Sequence, residues 1–86
     1  MNRTCLITGA NSGIGKVTAR ELAAKGATVI MVCRDRSRGE AARAEIRQAT
    51  KTDRVELLIA DLSEQRQIRR LAAEVKERFS ELHVLI

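Results

Sequence analysis

Three glycines within seven residues, Gly9, Gly13 and Gly15 of "TGANSGIGK", stand between the apolar run "CLI" and the amphipathic run "VTARELAAKGA". A strand that turns directly into a helix presents unpaired backbone N–H groups and a partial positive charge at the helix start, which is a site for an anion. Side chains in that turn would hold the anion away. Gly9 lets the chain leave the strand sharply, Gly13 clears a Cβ from the approach of a pyrophosphate, and Gly15 lets the helix pack closely on the sheet. Flexible turn glycines are the plain alternative, but three of the chain's five glycines gathered at one strand–helix junction argue against it. A nucleotide triphosphatase loop is disfavoured, because Lys16 is followed by Val17 where a magnesium-binding hydroxyl is needed.

The elements that would position this turn follow from the apolar pattern. Runs rich in Val, Ile and Leu at residues 4–8, 28–33, 55–60 and 83–86 have strand length and the composition of strands buried on both faces. Three helical patterns separate them. The first covers about residues 13–25 and closes at Gly26. The second opens at Ser37, with Glu40 three residues on in capping-box spacing, and places Ala42, Ile46 and Ala49 on one face. The third, within residues 63–80, carries Ile68, Leu71, Ala72, Val75 and Phe79 as its apolar stripe. Strands alternating with helices give an α/β fold with a parallel sheet of about four strands. Doubly wound order 3-2-1-4, with right-handed crossovers, sets the first two helices on one face and the third on the other. The glycine turn then lies at the carboxyl end of an internal strand, at the switch point where such sheets bind ligands.

"TGANSGIGK" resembles the cofactor-binding signature of the short-chain dehydrogenase/reductase family, and the likeness extends over residues 1–86. "VIMVCRDRSRGEAA" and "IADLS" are similar to that family's second-strand end and third-strand acidic loop, in the style of its retinol-dehydrogenase-like members. The resemblance implies a partial Rossmann fold, and implies that Gly9, Asn11, Ser12, Gly13, Ile14 and Gly15 form the turn that holds a dinucleotide. It puts the position of the NAD-selecting aspartate on Cys33, which is neutral, followed by Arg34. A guanidinium makes a forked contact with a 2′-phosphate, so this pair is similar to the NADP-preferring pattern. Asp35 leaves NAD open, since a one-residue shift turns it toward the ribose, and Ser12 stands where many NADP-type relatives carry a base. Arg38 either assists or faces solvent. Asp61 and Leu62 correspond to the family's adenine contacts, and Asp61 or Ser63 could equally cap the third helix.

Members of the family continue from this point into an Asn-Asn-Ala-Gly turn and later supply a serine, a tyrosine and a lysine for proton transfer while the cofactor carries the hydride. The 86 residues contain no tyrosine. The resemblance therefore implies the N-terminal, apparently truncated part of an NADP-binding domain from an alcohol or carbonyl oxidoreductase. A nucleotide-binding or regulatory module without redox chemistry is the alternative. An apolar last strand at a sheet edge predicts a marginal or oligomeric chain in isolation.

Composition narrows the remaining classes. The net charge of +5 is concentrated in residues 34–54, where seven bases meet four acids, and "RSRGEAARAEIRQ" reads mostly as an Arg/Glu-interleaved solvated helix face. With a single aromatic residue there is no stacking platform for nucleic acid. No apolar stretch approaches the roughly 18 residues that suggest a membrane span. No secretory leader pattern opens the chain, so a reducing, cytoplasmic setting is expected. Cys5 and Cys33 have no metal-ligand spacing and read as small buried residues, while His83 lacks any catalytic neighbours.

Overall fold

A computed structural model describes residues 3–10 and 13–78 and the backbone of residues 84 and 85. Strand β1 (Thr4–Thr8), helix α1 (Gly13–Ala24), strand β2 (Thr28–Cys33), helix α2 (Arg36–Thr50), strand β3 (Val55–Ile59), helix α3 (Gln65–Arg78) and strand β4 (Val84–Leu85) follow one another. The four strands pair in parallel in the order β3-β2-β1-β4, as the alternation of strand and helix predicts. β1 and β2 run in register from Thr4 opposite Thr28 to Thr8 opposite Val32, so both strands end at the same level. Phe79 and His83 lie outside the described residues.

Each face of the sheet has its own core because side chains alternate along a strand. Ile7, Val29, Met31, Cys33 and Val55 pack with Ala19 and Ala23 of α1 and Ala42 and Ile46 of α2. Leu6, Ile30, Val32, Leu58 and Ala60 pack on the opposite side with Leu71 and Val75 of α3. The first two helices thus cover one face and the third covers the other, the arrangement that right-handed crossovers require. Lys16 of α1 pairs with Glu45 of α2 and links the two helices on the shared face.

The helix ends show where local chemistry decided the boundaries. α1 terminates as expected at Gly26, whose φ of 89° lets its N–H reach the Ala23 carbonyl at 3.0 Å while Ala27 N–H reaches Leu22 at 3.1 Å. α2 starts earlier than the Ser37–Glu40 spacing predicts. Its N-cap is Asp35, with φ −97° and ψ 116°, and the Asp35 side chain accepts the Arg38 N–H. The carboxylate wins over the hydroxyl because β2 ends at Cys33, so the first turn must begin at once, and because a negative charge favours the helix start. Glu40 instead pairs with Arg43 at 3.7 Å. At the far end Lys51 adopts a left-handed conformation, φ 55°, and donates its N–H to the Arg47 carbonyl at 2.7 Å.

Not every base of residues 34–54 belongs to a solvated face. In β3 the even residues face β2, as the Val29 N–H to Arg54 carbonyl and Ala60 N–H to Cys33 carbonyl bonds show, so the Val55 carbonyl points outward from the sheet edge. Arg43 Nε donates to it at 2.9 Å and Arg47 at 3.1 Å, and Arg47 also donates to the Asp53 carbonyl at 3.3 Å. Two guanidinium groups therefore tie α2 to the edge strand and cover an edge carbonyl that would otherwise accept a foreign strand.

The α3 stripe is narrower than its spacing predicts. Leu71 and Val75 are buried, but Ile68 is 42% exposed and Ala72 is also exposed. Among the described residues α3 is the single helix on its face, so only the row touching the sheet finds cover. Arg78 anchors its last turn to Glu56 of β3 at 3.0 Å.

Candidate functional site

The carboxyl ends of β1, β2 and β3 open on one cleft of ≈ 710 Å³. Its floor is Gly9, Val32, Cys33 and Ala60, and its rim carries Arg34, Asp35, Arg38, Asp61, Leu62 and Ser63. Gly9, Cys33, Arg34, Asp35, Asp61 and Leu62, separated by up to 53 positions in sequence, are brought together there because three parallel strands end side by side.

The glycine turn meets the cleft at Gly9. Gly9 N–H donates to the Val32 carbonyl at 2.9 Å, which ends the ladder, and φ 61° then turns the chain off the sheet. Gly13, at φ 60°, starts α1 with nothing within 4 Å of where a Cβ would lie. Gly15 is different. A Cβ there would stand 2.6 Å from the Gly9 carbonyl oxygen and 3.3 Å from Ala10 Cα, so the first turn of α1 rests directly on the backbone that leaves β1. Ile14 lies between them and is 86% exposed. No acidic residue occupies the first turn of α1, so no neighbouring carboxylate competes for its N–H groups. Asn11 and Ser12 lie outside the described residues.

Charge is arranged along the rim by the loops after β2 and β3. Cys33, the last residue of β2, is 3% exposed, and Arg34 follows it at the cleft, exposed and without an ion pair among the described residues. Asp35 is committed to capping α2, with Arg38 Nε 4.0 Å from the same carboxylate. After β3, Ser63 Oγ donates to Asp61 Oδ1 at 2.6 Å and Ser63 N–H donates to the same oxygen at 3.0 Å. Those two bonds, with the Arg34 charge as a further cause, hold the Asp61 carboxyl below its ordinary pKa. α3 begins only at Gln65, so Asp61 braces the turn before the helix and does not cap it. Leu62, 39% exposed, supplies an apolar surface at the rim.

The start of α1, beside Gly9, offers backbone donors to an anion, and the cleft offers the Arg34 guanidinium to a second anionic group and a carboxylate beside an apolar edge to a planar amine-bearing ring. A model of the short chain dehydrogenase family matches residues 3–86. The chain belongs to that family. Among the chain's relatives, human retinol dehydrogenase 12 is 48% identical over 84 residues, which cover 98% of this chain and 27% of that protein. A menthone neomenthol reductase from Mentha piperita superposes with a TM-score of 0.89 at 33% identity, over 99% of this chain and 30% of its own. An L-sorbose reductase from Gluconobacter frateurii, solved with NADPH and L-sorbose, gives a TM-score of 0.87 at 25% identity, over 98% of this chain and 32% of its own. The chain therefore spans about a quarter to a third of the length of these proteins.

Several residues of the chain carry less chemistry than their type suggests. Lys16, beside the glycine turn, points to Glu45. Cys5 is fully buried in β1, and burial raises its thiol pKa, with Arg3 partly opposing, so it stays a protonated thiol at neutral pH. Among the described residues no group of three His, Cys, Asp or Glu could hold a metal ion, and no helix is long and apolar enough to cross a membrane. Sequence reasoning missed Gln67, whose side-chain oxygen accepts the Asp61 N–H at 2.6 Å from the second half-turn of α3. A glutamine six residues after the acid gives no pattern to find in advance.

Proposed function

We propose that the chain is the N-terminal, NADP(H)-binding part of a Rossmann domain in an oxidoreductase that passes a hydride between the cofactor and an alcohol or carbonyl substrate. The observation that carries the cofactor choice is the succession at the end of β2. Cys33 is neutral and buried, Arg34 is exposed at the cleft, and the Asp35 carboxylate is bonded to the start of α2. A guanidinium attracts a 2′-phosphate, whereas NAD needs a carboxylate free to take the ribose 2′-hydroxyl, and Asp35 is not free.

The remaining residues fit a dinucleotide. The open space at Gly13 and the acid-free first turn of α1 suit a pyrophosphate, in the turn made of Gly9, Asn11, Ser12, Gly13, Ile14 and Gly15. Asp61 suits the exocyclic amine of adenine, and Leu62 the edge of its ring. Arg38, at the same rim, is placed to support the phosphate from its pairing with Asp35. When bound, the cofactor supplies the hydride; the part of this chain is to bind it, orient it and hold its adenosine half against the strand ends. Support for the alcohol or carbonyl class comes from the retinol dehydrogenase, the menthone neomenthol reductase and the L-sorbose reductase to which the chain is similar.

The direct test is thermal melting of the 86-residue chain with each cofactor, since a ligand that binds only the folded state raises the melting temperature. NADPH is expected to raise it at concentrations where NADH does not.

A further inference from the structure

The loop after β3 is more constrained than a surface turn requires. Ser63 places both its donors, Oγ at 2.6 Å and N–H at 3.0 Å, on a single oxygen of Asp61. From the other side, Gln67 Oε1 accepts the Asp61 N–H at 2.6 Å, and Gln67 Nε2 donates to Glu64 Oε2 at 3.0 Å. Glu64 closes the circuit by donating its own N–H to the Asp61 carbonyl at 3.1 Å. Asp61 is thus fixed at its amide, its carbonyl and one carboxylate oxygen by three residues, two of which sit on or beside the first turn of α3. Ala60 N–H, bonded to the Cys33 carbonyl at 3.0 Å, fixes the residue before it to the end of β2.

A carboxylate that only caps or solvates a turn needs one such bond. One held in a single orientation at a cleft can discriminate by hydrogen-bond polarity, since a rigid acceptor rewards a donor and rejects another acceptor. We propose that Ser63, bonded to the carboxylate, and Gln67, bonded to the backbone N–H, are positioning residues that hold Asp61 in the one orientation in which it distinguishes a 6-amino purine from a 6-oxo purine. This rests on the dinucleotide reading of the cleft. A 6-amino group donates to the Asp61 carboxylate, whereas a 6-oxo group turns a second acceptor toward it. Neither Ser63 nor Gln67 needs to touch the cofactor. Their effect is on the direction of Asp61, whose carboxyl the Ser63 hydroxyl also holds below its ordinary pKa.

The experiment is fluorescence titration of the full chain with NADPH and with its hypoxanthine analogue, for the parent and for Ser63→Ala, Ser63→Thr and Gln67→Met. The parent is expected to prefer NADPH by about 10-fold or more, the scale of one hydrogen bond to a charged group. Ser63→Ala and Gln67→Met are expected to shrink that ratio several-fold by weakening NADPH while leaving the analogue unchanged, and Ser63→Thr, which keeps the hydroxyl, to restore it. Equal weakening of both dinucleotides in Ser63→Ala and Gln67→Met would make the residues merely structural and overturn the proposal. So would an undiminished ratio in both, which leaves base reading by Asp61 intact. A parent that binds both dinucleotides equally removes base reading itself while sparing the cofactor assignment, and a parent that binds neither overturns both.

Discussion

The Asp35 carboxylate accepts the backbone N–H of Arg38 at 3.2 Å, and this one bond separates the two charged residues that follow β2 into different tasks. Asp35 starts a helix, and Arg34, one position earlier, is left at the cleft without an ion pair among the described residues. In sequence Arg34 fits the NADP-preferring pattern while Asp35 leaves NAD open. Under the proposed reading, the helix start favours Arg34.

Removing the cap tests that division. Asp35→Ala is expected to cost about 1 kcal/mol, the usual worth of an N-cap, which in a domain this small lowers the melting temperature by roughly 4–8 °C. Ser37→Ala, inside the helix, should leave melting unchanged. Neither change should alter the preference between NADPH and NADH. A selective loss of NADH binding in Asp35→Ala, with melting intact, would return Asp35 to the ribose.

The glycines of the turn are expected to fail in different ways. Gly15→Ala forces a methyl to within 2.6 Å of the Gly9 carbonyl oxygen, where both sides are backbone, so α1 must shift. Overpacking of that kind costs about 1–3 kcal/mol and should appear as a lower urea midpoint. Gly13→Ala meets no atom, and its stability cost is confined to the positive φ, about 1–2 kcal/mol. Its larger effect should be on NADPH affinity, because the methyl stands at the mouth of the helix start. A Gly15→Ala chain as stable as the parent would contradict the close contact.

Asp61 carries the pH dependence. Its folded pKa is depressed, so its stabilising contribution is complete above the ordinary carboxylate range and is lost as pH falls through the lower folded value. Ser63→Ala removes the largest cause of the depression and should move this acid limb to higher pH. Carboxyl chemical shifts of Asp61 followed by NMR would show it, and an unshifted titration in Ser63→Ala would contradict the assigned cause.

Much of this arrangement is readable in the sequence because it rests on short-range rules. Val29, Ile30, Met31, Val32 and Cys33 form an unbroken apolar run, which only a strand covered on both faces accommodates, and all five are buried between the helices. Gly9, Gly13 and Gly15 announce a backbone approach that any side chain would obstruct. What escaped depends on competition or on distant partners. Asp35 and Ser37 both offer a capping oxygen, and the choice follows from where β2 stops. Arg43 and Arg47 read as solvated bases until the fold sets the Val55 carbonyl of an edge strand beside them. Lys51 takes a left-handed conformation that sequence reserves for glycine, held by its bond to Arg47. Ile68 and Ala72 fit a helical stripe, yet burial of a stripe depends on what packs beside the helix, and periodicity does not specify it.

The proposed NADP(H) site turns on Arg34, and titration of Arg34→Ala with NADPH and with NADH, beside the parent chain, reads its part. A guanidinium bonded to a phosphate dianion is worth about 1.5–3 kcal/mol, so NADPH should weaken by roughly 10- to 100-fold. NADH, which carries a hydroxyl at that position, should change little. Equal losses for the two cofactors, or a parent chain that prefers NADH, would contradict the account.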